Sequence, residues 1–204
     1  MFRVPKHIGV IPDGNRRWAK ENGFRKEEGY AYGLEPGLQL LRAASEYGVK
    51  EMTYYGFTVD NCKRPREQVE AFSEACVEAV KMIEQEHADL YVIGNTNSPC
   101  FPKELLPYTE RERRTESDDG KIRVNFLVNY GWEWDMKNGW ASRDVSRIDL
   151  VIRWGGRCRL SGFLPIQTVY ADFYIIKDLW PDFKKEQFED ALRWYQEQDI
   201  TLGG

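Results

Sequence analysis

Histidine is nearly absent from this 204-residue chain, where His7 and His87 are the only two. A metal centre built on several imidazoles is thereby excluded, as in practice is a nucleophilic triad that needs a histidine base. The four cysteines, Cys62, Cys76, Cys100 and Cys158, form no CxxC pair and have no zinc spacing to histidine. They are expected to be reduced thiols in a cytoplasmic protein. No apolar run approaches the roughly 18 residues that a membrane span needs. The segment Met1–His7 lacks the apolar core of a secretory leader. An excess of positive charge is missing too. The 29 Lys and Arg against 33 Asp and Glu leave a formal net charge of -4, so no global field draws in nucleic acid. An anionic ligand must be met by a local basic cluster.

Hydrophobic residues at 42% and aromatic ones at 14% mark a folded chain rather than a disordered one. One domain over residues 1–204 is expected, burying on the order of 70% of the unfolded surface. Ile8–Ile11 reads as a buried strand ending in the turn Pro12-Asp13-Gly14-Asn15. Helices are expected over 15–22, closed by Gly23, and over 34–47, closed by Gly48. A strand over 52–58 precedes a long helix opened by Pro65 and running to about His87. Further strands are expected at 90–93, 122–129, 148–153 and 170–176. A short amphipathic helix is expected within 99–112, a polar turn at 115–121 and a final helix at 185–196. Alternating strands and helices predict an α/β fold with a mostly parallel sheet covered on both faces.

Ligands of open parallel sheets bind beyond the carboxyl ends of the strands. After the first strand come Asp13, Gly14, Asn15, Arg16 and Arg17; after the second, Thr58, Asp60, Asn61, Lys63 and Arg64; after the fifth, Gly155, Gly156, Arg157, Arg159 and Ser161. Glycine lets backbone N–H groups approach phosphate oxygens, and arginine binds phosphate through two parallel hydrogen bonds. An isolated carboxylate suits Mg²⁺, which prefers oxygen ligands and keeps several waters. Each loop alone is an ordinary turn. Together they predict a phosphorylated ligand with a divalent cation, without a P-loop or a GxGxxG fingerprint.

Those residues lie in longer motifs. The run His7-Ile8-Gly9-Val10-Ile11-Pro12-Asp13-Gly14-Asn15-Arg16-Arg17-Trp18-Ala19-Lys20 resembles the first signature of the cis-prenyltransferases, the undecaprenyl diphosphate synthase family. Phe57–Asn61 with Arg64-Pro65 resembles the second, and Asn125 with Asn129-Tyr130-Gly131 the third. Asp149–Gly156, Arg159–Ser161, Tyr170–Asp172 and Leu179–Phe183 resemble the rest, so the likeness covers nearly the whole chain. It implies a dimeric α/β fold that joins isoprenoid diphosphates with Mg²⁺. Asp13 would hold the metal, with Asp172 helping across the dimer. Gly14, Asn15, Arg17, Arg64 and Lys26 would hold the donor diphosphate, and Arg153, Arg159 and Ser161 that of the acceptor. Thr58, Asn61 and Asn15, or an oxygen of the released pyrophosphate, are candidates to move a proton. The aromatic side chains of Trp18, Tyr54, Tyr55, Phe57 and Phe163 are either walls around an allylic cation or ordinary core.

Departures from the family pattern carry the finer expectation. Arg16 and Tyr30, both counted among the substrate-contacting residues, stand where the family has Gly and His. Cys62 stands for Trp, and Trp154 and Arg157 for a hydroxyl residue and Glu. Bulk at Arg16, Tyr30 and Trp154 is expected to reshape the pocket. The stretch from Gly131 to Ile148 is far shorter than in the polymer-forming members, as if a helix of theirs were missing, and Glu78 and Lys81 on the long helix are expected to face solvent. Thr201–Gly204 lacks the Arg that commonly precedes the glycines. These features resemble the small branch that joins two dimethylallyl diphosphates head to middle, giving lavandulyl or cyclolavandulyl skeletons. The alternatives are a regular short-chain Z-prenyl synthase that uses isopentenyl diphosphate, and a catalytically silent subunit.

Overall fold

The computed structural model describes residues 3–110 and 120–198. Its centre is β1 (His7–Ile11), buried along its whole length, as a central parallel strand of this composition requires. The chain continues through α1 (Asn15–Glu21), a 3₁₀ turn over Glu28–Gly33, and α2 (Leu34–Glu46) into β2 (Glu51–Tyr55). A second 3₁₀ turn, Val59–Lys63, leads to α3 (Arg66–Glu84), the longest helix described. Then follow β3 (Ala88–Ile93), β4 (Ile122–Leu127), α4 (Trp132–Lys137), β5 (Leu150–Arg153), β6 (Asp172–Ile175) and α5 (Lys185–Gln196). The six strands run in the order β3-β4-β2-β1-β5-β6, and every pairing is parallel. The result is a single α/β domain with a core on each face of the sheet. One core sets Ile8, Val10, Tyr54 and Ile152 under α2, α3 and α5, and the other sets Tyr55, Leu127 and Val151 under Phe163 and Leu164. All four cysteines are free thiols. Among the described residues no helix is long and apolar enough to cross a membrane.

The chain enters mid-sheet and builds toward β3 first, then crosses back to add β5 and β6. The strand order therefore reverses between β1 and β5. A crevice opens at such a switch point, and the register sets Ile11 beside Arg153 there.

Two local expectations need correction. The second strand stops at Tyr55, where its ladder with β4 ends; Thr58 makes only an isolated bridge to Tyr130. The chain needs those residues for a turn, in which the Thr58 N–H donates to Asn61 Oδ1 at 3.0 Å. The segment expected as an amphipathic helix is a 3₁₀ stretch, Lys103–Thr109, because Pro107 inside it cannot donate an α-helical hydrogen bond. The short stretch from Gly131 to Ile148 holds one helix, α4, stopped by Gly139 at φ 73°. The expected polar turn at 115–121 lies largely outside the described residues, and Thr201–Gly204 wholly so. Glu78 and Lys81 do face solvent, 4.0 Å apart.

Candidate active site

The loops after β1, β2 and β5 meet around an open cleft of about 600 Å³. Asp13, Gly14, Asn15, Arg16, Arg17, Lys26, Tyr30, Thr58, Asn61, Arg64, Arg153, Arg159 and Ser161 all line it. Lys20, Asp60 and Arg157 join them. Eight cationic side chains thus face two carboxylates, a surplus suited to two polyanions rather than one.

The loop after β1 begins at Gly14, whose φ of 121° is unfavourable for other residues, and it delivers Asp13 and α1 to the cleft floor. A side chain at Gly14 would also strike Leu179. Opposite, Arg153 ends β5 and is only 3% exposed. Its Nη2 donates to Asp13 Oδ2 at 2.8 Å and its Nη1 to Ser161 Oγ at 3.0 Å, with a further contact to the Arg159 carbonyl. A charge this buried needs such partners. Its Nε nevertheless has none, and neither does the buried Oδ1 of Asn15. Asp13 Oδ1 also lies 3.4 Å from Arg17, while Arg17 Nη2 donates to the Gly155 carbonyl. A Cβ at Gly155 would collide with that guanidinium, so the glycine makes room for the arginine.

Arg64, following the 3₁₀ turn Val59–Lys63, donates from Nη1 to the Tyr30 hydroxyl at 3.0 Å. Burial lowers its pKa, but a guanidinium stays charged at any physiological pH. Burial raises the Tyr30 phenol, which therefore stays protonated. The Tyr30 ring stacks on Phe72 of α3 at 4.4 Å. Arg16 reaches across the cleft to Gln68 Oε1 on α3 at 3.1 Å.

Beyond Tyr30 the walls turn apolar. A cavity of about 100 Å³ runs between the sheet, α2 and α3, lined by Leu38, Tyr54, Cys76, Ala79, Met82 and Ile83 among others. The cleft and this slot lie end to end and share Pro12, Asn15, Tyr30, Tyr55, Gly56 and Phe72. The site is amphipathic, cationic at one end and hydrocarbon-lined at the other.

Two expected residues lie elsewhere. Trp18 lines neither cavity: its Nε1 donates to Asp182 at 2.7 Å, and its ring packs on Phe24 and Tyr32 at the surface. Asp172 opens β6 beside Leu150, at the opposite end of the parallel sheet from Asp13. Burial raises its carboxyl pKa. Of the other proposed wall aromatics, Tyr54 lines the slot and Tyr55 its entrance, whereas Phe57 and Phe163 line neither cavity and are buried in the core. Trp154 is likewise fully buried, packed on Trp180 with its Nε1 donating to Gln187, so its bulk does not enter the cleft. Asn125 is a structural residue, donating to Glu51 and Thr53 inside the sheet. The sequence reading missed Phe72 as a wall. The signal was its place on one helical face with Cys76, Ala79 and Ile83.

The family model described as undecaprenyl diphosphate synthase matches residues 11–143 and 137–203. The chain belongs to that family. The ditrans,polycis-undecaprenyl-diphosphate synthase of Vibrio parahaemolyticus, (2E,6E)-farnesyl-diphosphate specific, is 31% identical over 232 positions, covering 98% of this chain and 91% of that protein. The enzyme of the same description from Pectobacterium atrosepticum is 32% identical, covering 98% and 90%. The alignment with the first is longer than the 204-residue chain, so that relative carries residues this chain lacks. Among solved structures, the lavandulyl diphosphate synthase of Lavandula x intermedia in complex with dimethylallyl diphosphate superposes with a TM-score of 0.81 at 23% identity. It covers 98% of both chains, and at that identity it establishes the fold. This member of the family is a prenyltransferase.

A metal held here would have few protein ligands. Among the described residues no group of three or more His, Cys, Asp or Glu comes together. Asp13, a third exposed, is the one carboxylate at the junction of the β1 and β5 loops. A single carboxylate, with diphosphate and water oxygens completing the shell, fits Mg²⁺ and does not fit zinc.

Proposed function

We propose that this prenyltransferase makes a short product, by head-to-middle condensation of two dimethylallyl diphosphates to a lavandulyl-type diphosphate, open or cyclised. The observation that carries the reading is the cationic cleft joined end to end with a narrow apolar slot. Arg17, Arg64 and Lys26, with Gly14 and Asn15, would anchor the donor diphosphate, and Arg153 and Arg159, with Ser161, that of the acceptor, all of them lining the one cleft. Mg²⁺ bound at Asp13 would supply positive charge against the departing diphosphate.

Arg17, Arg64 and Lys26 hold the donor headgroup so that its hydrocarbon points into the slot. The allylic carbon then lies at the shared neck, where the faces of Tyr30, Tyr55 and Phe72 favour a developing cation and exclude water. Arg153 and Ser161 orient the second diphosphate, and its double bond attacks that carbon through the middle carbon of the acceptor. One C–C bond forms, the donor C–O bond breaks with its electron pair leaving on pyrophosphate, and one proton departs. The unpartnered Oδ1 of Asn15, at the neck, is placed to accept a hydrogen bond there. Asn61 and Thr58, or a pyrophosphate oxygen, are the other candidates to take the proton. Asp172 lies too far within one chain to assist Asp13, so the role implied for it needs a homodimer.

A regular head-to-tail reaction with isopentenyl diphosphate is the second reading, favoured by the (2E,6E)-farnesyl-diphosphate specific relatives. A catalytically silent subunit is disfavoured, since Asp13, Arg17, Arg64, Arg153 and Arg159 all face the cleft. The deciding experiment incubates the purified chain with Mg²⁺ and dimethylallyl diphosphate, then with isopentenyl diphosphate added. Dephosphorylated products are identified by gas chromatography–mass spectrometry. A branched or cyclic C10 alcohol from dimethylallyl diphosphate alone is the expected result. A linear Z-alcohol formed only with isopentenyl diphosphate would establish the second reading instead.

A further inference from the structure

Arg16, Arg17, Arg64 and Arg153 of the cleft wall are held in two ways. Arg17 and Arg153 lie against the Asp13 carboxylate, at 3.4 and 2.8 Å. Arg16 and Arg64 hydrogen-bond neutral groups instead. Arg64 Nη1 donates to the Tyr30 hydroxyl at 3.0 Å, and Arg16 Nη1 donates to Gln68 Oε1 at 3.1 Å. These two cations also act on each other. Burial does most to lower the Arg64 pKa, and the Arg16 charge lowers it further. Like charges held near one another in a half-buried place repel, and an anion bound between them removes that cost.

Gln68 does not itself line the cleft. It sits in the first turn of α3, where its N–H donates to the Pro65 carbonyl at 3.0 Å. The segment Arg64–Gln68 therefore supplies one guanidinium directly and holds a second by its tip. An amide oxygen holds Arg16 without neutralising it, whereas a carboxylate there would cancel its charge. The bond engages Nη1 and leaves Nε and Nη2 to donate to a ligand. We infer that Gln68 is a positioning residue for prenyl transfer: it holds Arg16 beside Arg64, so that the two guanidinium groups grip the donor diphosphate together. The inference rests on the prenyl-transfer reading above and adds Arg16 to the donor anchor.

The test pairs calorimetric titration with inorganic pyrophosphate and steady-state kinetics with dimethylallyl diphosphate. Gln68→Leu keeps the bulk and removes the acceptor, so Arg16 must be ordered anew at each binding event. It is expected to raise the pyrophosphate Kd and the donor KM about fivefold, or ~1 kcal/mol. Its kcat is expected to stay within about twofold of wild type, since the lost contact serves ground state and transition state alike. Gln68→Glu keeps the acceptor but neutralises Arg16, and should raise both constants at least as much. Arg16→Gln should raise them about tenfold. Adding Gln68→Leu to Arg16→Gln should change nothing further, because Gln68 acts only through Arg16. A merely structural Gln68 would lower Tm and leave the pyrophosphate Kd unmoved. An unchanged Kd in Gln68→Leu, or full additivity in the double variant, would overturn the inference. Absence of any prenyl product from wild type, with pyrophosphate binding responding as described, would instead bring down the prenyl-transfer reading.

Discussion

The two ends of the parallel sheet carry similar polar residues and treat them in opposite ways. At the amino-terminal end, Asn125 donates to Glu51 at 2.7 Å and to Thr53 at 2.9 Å. The His7 ring lies 2.8 Å from the Thr53 hydroxyl and 3.0 Å from the Ser146 carbonyl. His7, Glu51, Thr53 and Asn125 are buried, and their polar groups are paired. At the carboxyl end, Arg153 and Asn15 each leave a buried polar atom without a partner beside an open cleft. Buried polar atoms are costly when unpaired, so a fold keeps them unpaired where a ligand completes them. One end is therefore a structural staple and the other a binding site.

This contrast can be broken most forcefully at Asp13. Asp13→Asn is expected to lower kcat by roughly 10²–10³, the scale of losing an electrostatic contact to developing charge. A metal chelator should abolish wild-type turnover by the same route, and steady-state kinetics with and without it checks both. Asp13→Asn that retains full turnover would remove the carboxylate from the mechanism. At the other end, Asn125→Leu strips buried Glu51 and Thr53 of a donor. It should cost about 1–3 kcal/mol of stability, read as roughly 2–4 °C of Tm per kcal/mol, with kcat unchanged. A loss of kcat at full stability would erase the distinction between the ends.

The smallest effect sharpens the staple. Burial holds the His7 pKa below its ordinary 6.5, against the opposing pull of Glu51 and Asp149. The folded state keeps the ring neutral, while the unfolded chain takes up a proton near pH 6.5. Its contribution is thus full above about pH 6.5 and is lost as pH falls through the lower folded value. Thermal melts between pH 7 and 5 should show a shallower decline for His7→Gln than for wild type.

Much of the cleft was legible in the sequence because its residues sit in loops directly after apolar runs. Asp13-Gly14-Asn15, Thr58–Arg64 and Gly155–Ser161 announce themselves by glycine, arginine and isolated carboxylates, and strand ends gather such loops on one edge. The parallel α/β class followed from alternating periodicities, and the free cysteines from their spacing. Boundaries were less legible. The β2 run continues in apolar residues past Tyr55, and only the pairing with β4 decides where the ladder stops.

What the sequence by itself determined is the chemistry of the site: which charges, which hydroxyls and which carboxylate are present at strand ends. The tertiary structure alone decided their partners. Strand order put Asp13 against Arg153, although 140 residues separate them, because β5 returns to pair with β1. It sent Trp18 to the surface, buried Phe57, Phe163 and Trp154 away from both cavities, and set Tyr30 and Phe72 face to face at the neck. Periodicity tells which residues share a face of one element. Which neighbour that face meets depends on packing among elements distant in sequence, and that choice turned a row of basic loops into a cleft with a hydrocarbon slot behind it.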